Sequence, residues 1–263
     1  MGKTLTQAVL LAVVLGAFSP LAGQDEPQVE PKNPKALEVI ASAVQAMGGD
    51  AYLGVMNSHS EGQYFIYDKD DRRAFSTFMD WTVYDPIKSR FQSGEKKRQQ
   101  VEIYNLETDQ GWTLEGESSV EEIPPEGVAA FKQSVLRDLN VLLRRRIGDE
   151  DVHLYYYGPK DIAGGGEHEA VEILDAANNS VVIFFDLRTH LPAKLETHVT
   201  NSLGIRQKME TEYSNWHTIQ GVHTPLRTDH YTEGKLSSQF YTKSITYNGA
   251  LPPSLFLKPV PKK

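Results

Sequence analysis

From Val181 onward the chain alternates short runs of β-branched and aromatic residues with clusters of turn formers. VVIFFD leads into LRTHLP, AKLETHV into NSLG, IRQKMETEYSNW into GVHTPLRTDHY, and TEGK precedes LSSQFYTKSITYN. Runs of this kind, each closed by Gly, Pro, Asn or Ser, predict consecutive antiparallel strands joined by tight turns. The array reaches Phe256 with no helical period inside it. Arg206, Lys208, Glu210 and Glu212 fall on one face of their strand, opposite Ile205, Met209 and Tyr213, so period-two counting turns the charged stripe outward.

The N-terminal half mixes periods. Asn33-Pro34 offers a cap and a first helical residue. Leu37, Ile40, Val44 and Met47, flanked by Val39 and Ala43, then recur on one helical face until Gly48-Gly49 stops it. Strands follow over residues 59–67, 73–84, 87–92, 98–104 and 111–115. In the second of these, Phe75, Thr77, Met79, Trp81 and Val83 share one face, and Ser76, Phe78, Asp80, Thr82 and Tyr84 the other. A second helical period runs through EGVAAFKQSVLRDLNVLLRRR, with Val128, Phe131, Val135, Leu139 and Leu142 on one side. Strands resume at Val152 and again at Glu167, and the Pro-broken tail packs Leu255 and Phe256 onto the domain edge.

About ten strands and two substantial amphipathic helices predict a mainly β, α+β fold. One open sheet of that width curls or closes, and two one-sided helices cannot cover both of its faces. The expected architecture is a single curved antiparallel sheet forming an incomplete β-barrel, with two or three helices packed on the concave side. Its interior is either a filled core or a cavity for an apolar ligand. If a cavity, its expected lining is Met79, Trp81 and Val83 from the sheet and Phe131, Val135 and Leu139 from the helix.

Composition narrows the setting. Residues 1–23 carry Lys3, an apolar run from Ala8 to Phe18, and Leu21-Ala22-Gly23 before Gln24, the pattern of a cleaved signal peptide. The run is shorter than the ~20 residues a spanning helix needs. The chain holds no Cys. Disulfides, thiolate metal sites and a lipobox cysteine are thereby excluded, which predicts a soluble periplasmic protein that is not a lipoprotein. Residues 24–33 read as a flexible leader, 34–258 as one domain and 259–263 as a tail. A formal charge of −8 argues against nucleic acid as a partner.

Several segments together resemble a known family: ALEVIASAVQAMGGDAYLGV, DQGW, VVIFFDLRTHLPAKLE, YSNWHTIQGVHTPLRTDHYTEGK and ITYNGALPPSLFLKP, in that order over roughly residues 34–258. Their succession is similar to exported bacterial proteins of the LolA/LolB-like outer-membrane lipoprotein-sorting superfamily, which includes RseB-like sensor domains. The resemblance implies a half-open barrel whose helices form a lid over an apolar cavity. It implies a lipid or lipoprotein acyl chain as ligand, an inner- or outer-membrane protein as a further partner, a monomer, and no covalent chemistry. The alternative within the same fold is an envelope sensor that binds a protein instead of a lipid.

Catalytic and metal patterns do not assemble. The eight His include no His-x-His or His-Glu-x-x-His spacing, and in Glu167-His168-Glu169 the alternation points His away from both acids. There is no Gly-x-Ser-x-Gly, and Gly164-Gly165-Gly166 is followed by neither Lys-Ser/Thr nor a helix start. Arg144-Arg145-Arg146 could grip a carboxylate or phosphate, but more simply complements a helix carboxyl end. The expectation is a non-catalytic protein with no cofactor and no metal.

Overall fold

The computed structural model describes residues 32–261 except 69, 71–72, 96–97, 163–165 and 202. The expected signal peptide, most of the leader and two of the three consecutive glycines lie outside the described residues. Helix α1 spans Pro34–Ala46, and the Asn33 side chain accepts hydrogen bonds from the amides of Lys35 and Ala36 at 2.9 and 3.2 Å. Its buried face is Ala36, Val39, Ile40, Ala43 and Val44. That stripe is rotated slightly from the expected one, leaving Leu37 39% exposed. A short α2, Asp50–Leu53, follows, its Tyr52 fully buried. Gly48, at φ +124°, lies so close to the Gly221 carbonyl that a Cβ would come within 2.3 Å of its oxygen, so only glycine lets α1 meet that hairpin.

Thirteen strands form one antiparallel sheet, more than the ten expected. They are β1 Asn57–Tyr67, β2 Arg73–Tyr84, β3 Ile87–Ser93, β4 Gln100–Asn105, β5 Gln110–Glu115, β6 Ser119–Glu122, β7 Val152–Asp161, β8 Glu167–Asp175, β9 Ser180–Asp186, β10 Pro192–Thr200, β11 Arg206–Ile219, β12 Val222–Thr232 and β13 Lys235–Tyr247. The order β6-β5-β4-β3-β2-β1-β13-β12-β11-β10-β9-β8-β7 is two meanders stitched together where β1 pairs with β13. Each meander follows from local turns. Gln220-Gly221 and Glu233-Gly234, all at positive φ, make the two-residue hairpins on either side of β12.

This topology dictates where the helices go. Strands β6 and β7 are the two edges, so the segment joining them must cross the sheet from one side to the other. It does so over the concave face as α3 (Pro125–Val135), α4 (Leu139–Val141) and a π-helical turn, Leu142–Arg146. The single long helix expected here is broken at Leu136–Asp138. Asp138 accepts from the amides of Asn140 and Val141 at 2.9 and 3.1 Å, a local cap that competes with continuing the helix.

One half of the concavity is filled. The apolar face of α1 joins Leu139, Leu142 and Leu143 against Val152, Leu154, Val171, Ile173, Val181, Ile183 and Phe185 of β7–β9. Complete burial of each such side chain stabilises the fold by about 1.5–3 kcal/mol. The expected leader ends in this region, where Lys32 bridges Leu154 beside β7 and donates its Nζ to the carbonyls of Ile147 and Asp149. A smaller cluster, Val101, Ile103, Trp112 and Leu114, lies on the convex face of β4 and β5. The 3-10 turn Pro253–Phe256 packs on β3 and β4 and buries Phe256 to 3%.

Candidate functional site

The other half of the concavity is hollow. A cavity of about 610 Å³ lies between the roof formed by α3 and α4 and the sheet floor of β1–β3 and β10–β13. Phe131, Val135, Leu139 and Val141 come down from the roof, and Leu195, Val199, Met209 and Ile245 rise from the sheet. Polar groups are interspersed among them, including Ser58, Ser60, Asp80, Thr82, Thr197, Thr211, Thr228 and His230. A smaller hollow of about 420 Å³ shares Ser89, Phe131 and Ser134 with it and continues along β3 and β4 to Tyr104. Over that extension Phe131 stacks on Tyr104 with ring centroids 3.9 Å apart.

Of the six residues expected at the site, the structure brings Phe131, Val135 and Leu139 together on the roof. Met79, Trp81 and Val83 are a correction: they belong to the convex face of β2, because Asp80, Thr82 and Tyr84 are the residues that line the cavity. Trp81 stacks on His59 at 4.8 Å, and the Arg90 guanidinium lies 5.7 Å from its ring. Arg90 in turn donates to the Leu255 carbonyl, so this side of β2 faces the C-terminal tail. The more apolar row of β2 thus lies on the side where the tail packs on neighbouring β3 and β4. Met79 also borders an open groove of about 690 Å³ on the sheet at the β13 bulge. That groove has no helix over it, and the roofed cavity is the better candidate.

Asp80, Thr82 and Tyr84 are the cavity-lining residues of β2 that sequence reasoning did not select. A carboxylate at the centre of a long strand of apolar and aromatic residues was their available signal. Asp80 accepts from Thr82 Oγ1 at 3.2 Å. Its carboxyl reaches the cavity yet is enclosed by protein, and that burial pushes its pKa up to about 7. Asp138, open to the cavity and walled in beyond it, is likewise raised by burial, against the pull of its two cap amides. Burial lowers His230, leaving it neutral at pH 7, with Thr211 Oγ1 at 3.1 Å from its Nδ1.

The arginine run does lie in the last turn, as expected, but two of its members do more than complement the helix end. Arg146 is buried and reaches Asp175 with both terminal nitrogens at 3.3 Å. Burial alone would raise Asp175, but hydrogen bonds from Asn179 and the Arg146 charge hold it below the usual carboxylate range. The pair ties the π-helical turn to the β8–β9 hairpin. Arg144 lies over Tyr52 at 4.2 Å and Tyr84 at 4.9 Å, and its buried Nε and Nη1 have no hydrogen-bond partner among the described residues. Stacked cation–π contacts take the place of those bonds beneath the Tyr84 end of the cavity.

On the convex side, Lys194 and Lys208 each contact both Glu196 and Glu210 at 2.5–3.0 Å. The charged stripe of β11 therefore does face outward, and Met209 and Tyr213 face the cavity. His168 is buried, its Nδ1 2.9 Å from the Gly166 carbonyl oxygen. No group of three or more His, Asp or Glu suited to a metal occurs among the described residues. No helix among them is long and apolar enough to cross a membrane.

No sequence-family model matches the chain. No curated protein matches it either. Solved structures do. A domain from Vibrio parahaemolyticus named for outer membrane lipoprotein sorting superposes with a TM-score of 0.52 at 10% identity, covering 84% of this chain and 97% of that one. A LolA superfamily protein from Nitrosomonas europaea gives 0.47 at 12% identity over 85% of this chain and 97% of that one. The MucA/MucB complex of Pseudomonas aeruginosa gives 0.26 at 13% identity over 85% of this chain and 60% of that one. The fold is thus that of the lipoprotein-sorting domain: one open, curved antiparallel sheet with helices in its concavity.

Proposed function

We propose that this protein is an exported, non-catalytic carrier that shelters the acyl chain of a lipid or lipoprotein in the periplasm. The observation that carries this is the roofed cavity of about 610 Å³, within the usual size of small-molecule sites and contiguous with a second hollow under the same helix. Each methylene moved from water into it contributes ~0.8 kcal/mol. Phe131, Val135, Leu139 and Val141 supply the apolar roof.

Loading and release need a movable part, and the roof has one. Helix α3 buries a single residue, Val128, whereas α4 and the π-helical turn bury Leu139, Val141, Leu142, Leu143 and Arg146. The break at Leu136–Asp138 separates the two, so α3 swings while α4 stays anchored. Opening parts Phe131 from Tyr104, and a membrane-bound partner that prefers the open arrangement would drive release.

The test is native mass spectrometry and lipid extraction of the full chain purified from a bacterial envelope. A co-purifying lipid and uptake of a fluorescent alkyl probe are expected. No lipid and no uptake, with a single protein recovered stoichiometrically by crosslinking, would instead make the chain a protein-interaction module.

A further inference from the structure

The cavity is not uniformly apolar. Its roof is hydrocarbon, but its floor carries an acid, Asp80, with no basic partner: among the described residues no Lys or Arg forms an ion pair with it. Arg137 borders the same cavity but donates to Asn179, and Arg144 lies against Tyr52 and Tyr84. The other titratable groups facing the space are Asp138 from the roof, Tyr84, Tyr213 and neutral His230 from the floor, and Glu102 in the extension. A plain acyl chain would strip Asp80 of cavity water and return nothing to it. An anionic headgroup would meet Asp80, Asp138 and Glu102.

Next to Asp80 the concave face of the sheet turns aromatic, with Phe91 lining the extension of the cavity. Phe91 is its cross-strand partner on β3, at about 5 Å between Cβ atoms for such a pair. Phe78 precedes it on the same face of β2, stacked on Phe91 at 6.0 Å, and Phe240 and Tyr64 complete the cluster. An unpaired carboxylate beside a group of π-systems is the chemistry that receives an ammonium ion, by charge-assisted hydrogen bonding and cation–π attraction together.

We propose that the amphiphile taken up here carries a cationic amine, bound by the Asp80 carboxylate beside Phe91 where the cavity passes into its extension, with its hydrocarbon under Phe131, Val135 and Leu139. The proposal rests on the carrier function above and adds the headgroup class. A bound ammonium stabilises the ionised form of Asp80, so binding near pH 6 expels the carboxyl proton to solvent.

Dodecylamine, dodecanol and dodecanoate, titrated calorimetrically into the full chain near pH 7.5, separate the possibilities. The amine is expected to bind about tenfold or more tighter than the alkanoate, with the alcohol between. Asp80→Asn is expected to remove the amine's advantage over the alcohol. A second readout is proton release: near pH 6 the amine's binding enthalpy should change with the ionisation enthalpy of the buffer, and in the variant it should not. Equal affinities, a preferred alkanoate, or an amine preference that survives Asp80→Asn would overturn the proposal while leaving the carrier intact. Failure of all three probes to bind would remove the carrier as well.

Discussion

The two halves of the concavity belong to the same sheet and lie under the same crossing segment, yet one is filled and the other hollow. On the β7–β9 side, α1 brings five buried apolar residues down onto alternating Val, Ile and Leu positions. On the β1–β3 and β10–β13 side no second amphipathic helix is supplied. The cover is α3, short and poorly buried, together with the brief α4, over a floor that mixes hydroxyls and an acid with apolar residues. The contrast teaches why the proposed site sits where it does: a sheet face fully matched by a helix becomes core, and one left half-matched keeps space for a ligand.

Substitutions should separate the halves. Ile183→Ala, in the solid half, leaves a void that its fully buried surroundings cannot close, and should lower stability by about 2–5 kcal/mol in urea unfolding without changing probe uptake. Comparable destabilisation on removing a cavity-wall residue such as Val199 would erase the distinction.

Asp80→Asn probes the hollow floor by pH. The carboxyl's ordinary value of 3.8 is raised to about 7 in the fold. Below the lower value both folded and unfolded chains hold the proton, and between the two only the folded chain does. Wild-type stability should therefore fall as pH rises from about 4 to 7 and stay low above it. The variant should lose that slope and gain about 1–2 kcal/mol at pH 8, read from Tm across a pH series. An unchanged slope would show that Asp80 is freely solvated.

Val135→Trp fills the cavity from the roof. It should change stability by less than about 1 kcal/mol, since the new ring enters existing space, while abolishing uptake of an alkyl probe. Retained uptake would place the ligand elsewhere.

Much of the framework was legible in the sequence because its signals are local. Asn33-Pro34, the helical stripe of α1 and the turn formers around β12 each act within a few residues. The outward charges of β11 were legible for the same reason. The hollow half depends on partners distant in sequence. Which face of β2 looks inward is decided by the tail around Leu255 and by α3, and both rows of β2 are bulky enough to fit either side. Arg146 reads as a solvated helix end until β8 delivers Asp175 to it. The break that frees α3 was within reach, since Asp138 followed by a helical run is a capping signal, but the apolar period running through it masked it.

The central claim is that ligand enters the hollow half and not the solid one, and methyl-resolved NMR during titration of an alkyl amphiphile tests it most directly. The account predicts shift changes at Val135, Leu139, Val141, Leu195, Val199 and Ile245, with Leu154, Val171, Ile173 and Ile183 unmoved. Shifts spread equally over both sets, or confined to the second, would contradict it.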